Sequence, residues 1–180
     1  MYRLARAIVL GLLGAGIVHI AVLLLLPYVT ERDAWSELAN AAPLYTPARI
    51  SEADSALSLG RAGDPLTEAV ACRFSLEDGP LHVASGGVVP FWAMSIYDRK
   101  GQNIFSFNDR TAVDGKVNFV VLTPAQTVEL RKDMPADFAE AVFVEADIEE
   151  GIVVVRALVP DESWRETVSS FVSGIACEAR

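Results

Sequence analysis

Apolar positions run unbroken by charge from Ala7 to Leu26, and the apolar character continues to Val29. About 20 such residues at 1.5 Å rise each match the ~30 Å hydrocarbon core of a bilayer, so the pattern predicts a transmembrane helix over residues 7–29. A cleaved secretory signal is the rival reading. Its apolar core would be roughly 7–15 residues, with a small-residue cleavage site close behind. Here the run is longer, the nearest such site (Ala39-Asn40-Ala41) lies well past Leu26, and no cysteine follows Pro27 to accept a lipid. An uncleaved signal anchor is therefore expected. Thr30 is expected to cap a short helix over Glu31–Ala41, with Asp33 completing a weak capping box. That helix places Trp35, Leu38, Ala39 and Ala42 on one face. Residues 43–65 are rich in proline, serine, alanine and glycine without periodicity, and read as an irregular linker or wrapping segment.

From Glu68 the period changes to two. Strands are expected at Ala69–Leu76, Leu81–Ala84, Phe91–Tyr97 and its hairpin partner Asn103–Phe107, and Val117–Leu122. Asp114-Gly115 is a further hairpin signal. Thr123-Pro124-Ala125-Gln126 reads as a helix start, with threonine at the N-cap, proline at N1 and glutamine at N3. Ala141–Ala146 and Ile152–Val159 are expected to form the last hairpin around Glu149-Glu150-Gly151. A final helix then carries Trp164, Val168, Phe171, Val172 and Ile175 on one face. The expected fold class is an N-terminal transmembrane helix plus a β-rich α+β domain, mostly antiparallel sheet or sandwich, with a C-terminal helix. Its divisions are 1–30 for the cytoplasmic tip and anchor, 31–66 for the juxtamembrane helix and linker, and 67–180 for the β-rich domain. Ile152–Val159 is apolar on both faces and should be central. Arg156 interrupts it and, if buried, needs a carboxylate partner.

Charge sets the orientation. Arg3 and Arg6 precede the apolar run and Glu31-Arg32-Asp33 follows it, which places the N-terminus in the cytoplasm and the domain in the periplasm. Beyond the anchor stand 13 basic and 24 acidic residues, a formal charge of −11. That surface repels nucleic acid and anionic lipid headgroups. Cys72 and Cys177 both fall on the oxidising side, where their one possible pairing is a disulfide; two free buried thiols are the alternative. Their spacing fits neither a redox pair nor a zinc site.

Candidate chemistry is sparse. His82 is the one histidine outside the anchor, which argues against a histidine-based metal site or a catalytic triad. Glu145, Asp147, Glu149 and Glu150 lack a calcium-loop pattern and read as a solvated turn. Ser85-Gly86-Gly87 lacks the rest of a phosphate loop. Weak ligand-site candidates are Trp92, which shares a face with Met94 and Ile96 and reads first as core, and the polar run Asn108, Asp109 and Arg110 at a strand end. No catalytic residue, cofactor or metal is indicated. Within the anchor, Ala7, Gly11, Ala15 and His19 recur every four residues as one stripe. Small residues allow close helix packing, and a polar side chain at membrane depth can bond across it.

Several motifs taken together resemble a known family. Cys72-Arg73-Phe74-Ser75-Leu76 with Gly79-Pro80-Leu81 is one. Ser95-Ile96-Tyr97-Asp98 with Gly101 and Asn108-Asp109-Arg110 is another. Phe119-Val120-Val121-Leu122-Thr123-Pro124 with Gln126, and Gly151-Ile152-Val153-Val154-Val155-Arg156-Ala157, complete the set. With His19-Ile20 in the anchor, the chain resembles the small single-pass membrane proteins of alphaproteobacteria assigned to domain-of-unknown-function family 1254. The stretch Phe91–Asp98 is also similar to the sister family usually found with it. The resemblance implies an anchored β-rich domain at the inner membrane, carries over no catalytic residues, and suggests a partner, since larger members hold both domains. The expected role is a binding or interaction module of unknown activity. It contacts the bilayer through residues 7–29, with self-association or a second membrane protein through the anchor stripe. The alternative is a small-ligand-binding protein or enzyme with a pocket in the sheet.

Overall fold

The computed structural model describes residues 2–50 and 66–180, and side chains at 27–33 lie outside that description. Two compact units divide the chain, Met1–Asp33 and Ala34–Arg180. Helix α1 runs from Tyr2 to Ala41 as one element. It contains the stretch Tyr2–Leu26, whose most apolar 18 residues have a mean hydropathy of 2.7, long and apolar enough to cross a membrane; a signal sequence passes the same test. The separate helix expected over Glu31–Ala41 is instead the continuation of α1, so no new helix starts at Thr30. No glycine stands between Leu26 and Ala41 to end it.

Among the described residues, nine strands and two helices follow α1. These elements in order are β1 (Ala48–Ile50), β2 (Thr67–Ser75), β3 (Leu81–Ser85), β4 (Trp92–Asp98), β5 (Asn103–Asn108) and β6 (Val117–Leu122). Then come α2 (Pro124–Leu130), β7 (Val142–Glu145), β8 (Glu150–Leu158), α3 (Arg165–Ser173) and β9 (Ala176–Ala179). A five-stranded antiparallel sheet has the order β1-β2-β8-β4-β5, and a four-stranded sheet the order β7-β6-β3-β9. Their inner faces share one core. Phe74 and Cys72 of β2, Trp92, Met94 and Ile96 of β4, and Val153 and Val155 of β8 meet Leu81, Val83, Phe119 and Val121 of the other sheet. The β-rich α+β class is as expected, and β8, buried on both faces, is the central strand of the larger sheet. The capping box on α2 is present, Thr123 accepting from the Gln126 N–H and Gln126 from the Thr123 N–H.

Six expectations are corrected. The last hairpin does not exist, because β7 lies parallel to β6 in the smaller sheet while β8 pairs with β2 and β4. Gly151 is not a turn residue. A Cβ there would stand 2.6 Å from both the Phe74 ring and the Tyr97 carbonyl oxygen, so glycine is needed where strands crowd. Asp114-Gly115 does adopt left-handed turn angles, but it carries the chain from β5 to β6, from one sheet to the other. Residues read as linker supply the edge strand β1, and the final helix is shorter than expected, ending at Ser173 before β9 returns against β3. Arg156, finally, is exposed. Strand alternation puts it on the outer face of β8, so no buried carboxylate is required.

Candidate functional site

The outer face of the five-stranded sheet is built by register. Arg73 of β2, Ile152 of β8, Tyr97 of β4 and Asn103 of β5 lie in one row. Ala71, Val154, Ser95 and Ser106 form the next, and Ala69, Arg156, Ala93 and Asn108 the third. Period-two alternation sends Trp92, Met94 and Ile96 inward and leaves Ala93, Ser95 and Tyr97 on this side. The β2–β8 half of the face is covered. Leu38, 1% exposed, packs there with Ala71, Ile152 and Val154, and Trp35 and Tyr97 flank that cluster.

Trp35 is held by cations. The Arg73 guanidinium lies 5.1 Å and that of Arg99 5.3 Å from its ring centroid. Such contacts contribute about 0.5–1 kcal/mol at exposed sites. Arg73 also donates to the Ala42 carbonyl at 2.9 Å, and Arg99 pairs with Glu150. Nε of Arg73 is buried without a partner. Burial lowers the Arg73 pKa, with the Glu150 charge opposing the shift.

The β4–β5 half is open and polar. Asn103 Nδ2 donates to Ser106 Oγ at 2.9 Å, and Ser106 Oγ to Ser95 Oγ at 2.9 Å. Burial alone would raise the Tyr97 phenol. Hydrogen bonding from Ser95, Arg156 and Asn103, together with the Arg156 charge, outweighs it and brings the group below its ordinary value. A shifted group on an accessible face is a functional-site candidate. The cluster holds a cation, a polarised phenol, two hydroxyls and an amide. It can recognise a group rich in acceptor oxygens.

The residues singled out from sequence fall elsewhere. Cys72 and Cys177 are joined in a disulfide between the two sheets, with a Cα–Cα distance of 6.7 Å. Trp92 is 1% exposed; its Nε1 donates to the Gly115 carbonyl at 2.7 Å and its ring meets Phe107 edge-on. Asn108, Asp109 and Arg110 form a turn in which Asn108 Oδ1 accepts from the Arg110 N–H at 3.1 Å. Asp109 Oδ1 is buried without a partner. Ala7, Gly11, Ala15 and His19 are all exposed along α1, and nothing lies within 4 Å of a Cβ built on Gly11. His82 Nε2 lies 2.9 Å from Asn118 Oδ1 and its ring meets Phe138 edge-on. Asp147, Glu149 and Glu150 line a cleft of about 480 Å³ with Asp98, Arg99 and Lys100. Among the described residues no group of three or more histidine, cysteine, aspartate or glutamate side chains is placed to hold a metal.

Sequence reasoning passed over Tyr97, Ser95, Asn103, Ser106 and the Trp35 clamp. The signal was partly present, since two of the three outward residues in Ala93–Tyr97 are polar and Arg156 stands in an apolar strand. Which strands lie side by side was not readable.

The family model described as Protein of unknown function (DUF1254) matches residues 67–179. No curated protein matches the chain. Among solved structures, the fold is similar to that of the VPA0106 protein from Vibrio parahaemolyticus, with TM-score 0.58 and 11% identity. That likeness covers 85% of this chain and 36% of the other. A weaker likeness, TM-score 0.47 at 15% identity, is to an uncharacterized protein from Burkholderia cenocepacia, over 74% of this chain and 36% of that one. The chain thus spans about a third of the length of the solved chains it matches.

Proposed function

This chain belongs to the family Protein of unknown function (DUF1254), and we propose that it is a single-pass binding or interaction module, anchored in the bacterial inner membrane with its body in the periplasm. The observation that carries the binding role is the open half of the outer sheet face, where Arg156, Ser95, Asn103 and Ser106 gather at Tyr97, at the edge of the cluster that Leu38 covers. The apolar helix, Arg3 and Arg6 before it, and a disulfide, which persists in oxidising compartments, support the placement. In this reading the Ala7, Gly11, Ala15 and His19 stripe meets another transmembrane helix. The cleft beside Glu150 and Lys100 favours the second reading, a small-ligand protein or enzyme.

The test is crosslinking in the native membrane, with a photoreactive residue at Ser106 and, in parallel, at Lys132 on the far side of the chain's sequence. A specific adduct from Ser106, absent from Lys132, supports the module. Its loss on Gly11→Leu adds the anchor stripe to the contact. Equal adducts from both positions, or none, sink the binding role. An alkaline phosphatase fusion after Arg180 should be active; an inactive one overturns the periplasmic placement.

A further inference from the structure

Donors outnumber acceptors on the open half of the outer face. Arg156 is exposed on the central strand, and among the described residues it makes no ion pair. The Asn103 amide donates to Ser106, and Ser106 to Ser95. Ser95, Asn103 and Arg156 in turn face the Tyr97 oxygen. A chain of hydrogen bonds polarises its members cooperatively. A phenol oxygen that accepts from its neighbours keeps a strengthened O–H to donate outward. Among the described residues no carboxylate belongs to this cluster, so it is locally cationic on a chain of net charge −9. The acidic groups Asp98, Glu149 and Glu150 gather at the Arg99 end, where Arg99 answers Glu150.

We propose that this face binds a phosphate group, with the Arg156 guanidinium taking two of its oxygens and the Tyr97 hydroxyl, polarised by Asn103, Ser106 and Ser95, donating to a third. The idea rests on the binding-module reading above and names the chemistry of its ligand. Geometry separates phosphate from carboxylate. A carboxylate presents its two oxygens in one plane, the geometry that a single guanidinium fork matches. The donors here come from β8, β4 and β5, with about 4.8 Å between neighbouring strands. A tetrahedral phosphate directs oxygens to several sides and engages the fork and the Tyr97 hydroxyl together. Its source is either a lipid headgroup or a soluble phosphate.

The full chain in mild detergent distinguishes the sources. Native mass spectrometry would compare retention of phosphatidylglycerol with that of diacylglycerol, which lacks phosphate, and calorimetry would titrate inorganic phosphate. Preferential retention of phosphatidylglycerol assigns the headgroup; heat from phosphate alone assigns a soluble ligand. In either case Arg156→Gln should weaken binding about tenfold, the scale of a charge-assisted hydrogen bond. Arg156→Lys should restore part of it, Tyr97→Phe should weaken it less, and Lys132→Gln should change nothing. Unchanged melting temperatures for the variants confirm that folding is intact. The proposal is overturned if neither probe binds, or if Arg156→Gln binds as the parent does. A chain that binds neither probe but still gives the Ser106 adduct retains the module reading and loses only the phosphate.

Discussion

Tyr45 holds a left-handed backbone angle, φ 60°, in the segment that follows α1. A non-glycine residue there stores on the order of 1–3 kcal/mol and persists only when its surroundings fix it. Here the Tyr45 N–H donates to the Arg73 carbonyl at 2.9 Å. Its hydroxyl lies 2.7 Å from both the Ser75 carbonyl and Asp78 Oδ2. Burial and then the hydrogen bond to Asp78 push the phenol up to about 12 from an ordinary 10.0. A raised pKa means that the folded state favours the protonated phenol, so this stabilisation is complete below about pH 10 and is lost as pH rises through about 12. The stability advantage of the parent over Tyr45→Phe, read by urea denaturation, should therefore be constant up to about pH 10 and shrink above it. An advantage that grows across that interval would contradict the assignment. None of this was visible beforehand, because a tyrosine among prolines gives no sign of the backbone angle or of Asp78 33 residues away.

At the scale of elements, the last turns of α1 serve the body as a cover for the sheet. Leu38 fills the space over Ala71, Ile152 and Val154, and Trp35 lies between two arginines. Leu38→Ala should lower stability by about 2–5 kcal/mol, the range for truncating a buried leucine. Ser36→Ala, at an exposed position two residues before it, should stay within about 0.5 kcal/mol. Comparable losses from both would mean that the helix end does not pack as described. The apolar spacing of Trp35 and Leu38 was legible as one face of a helix. That the face meets β2 and β8 was not, because an amphipathic stripe states that something is covered without naming what. The turn signals divided in the same way. Asp98-Arg99-Lys100-Gly101 joins the true hairpin β4–β5, with Gly101 at φ 81°, whereas Asp114-Gly115 turns the chain between sheets. Local turn chemistry is identical whether the next strand pairs with the last one or leaves it.

The whole molecule is closed across its core by Cys72 of β2 and Cys177 of β9, 105 residues apart. In the chain-entropy model a loop of about 100 residues contributes roughly 4.7 kcal/mol by restricting the unfolded chain. The double variant Cys72→Ser, Cys177→Ser should therefore unfold at lower denaturant, by roughly 3–5 kcal/mol. A loss below about 1 kcal/mol would show that the sheets hold each other without the bridge. The pairing itself was legible from a count of two cysteines, which allow one intramolecular bridge. Sequence alone likewise determined the apolar helix, the β-rich class, the period-two faces and the centrality of β8, because each follows from hydrophobic spacing along a single segment. Only the tertiary structure decided that β7 and β8 part into different sheets, that Gly151 answers crowding instead of a turn, and that Arg156, Ser95 and Asn103 converge on Tyr97. Those outcomes depend on which strands become neighbours. Neighbours are chosen by packing two whole faces against each other, a condition that no single segment contains.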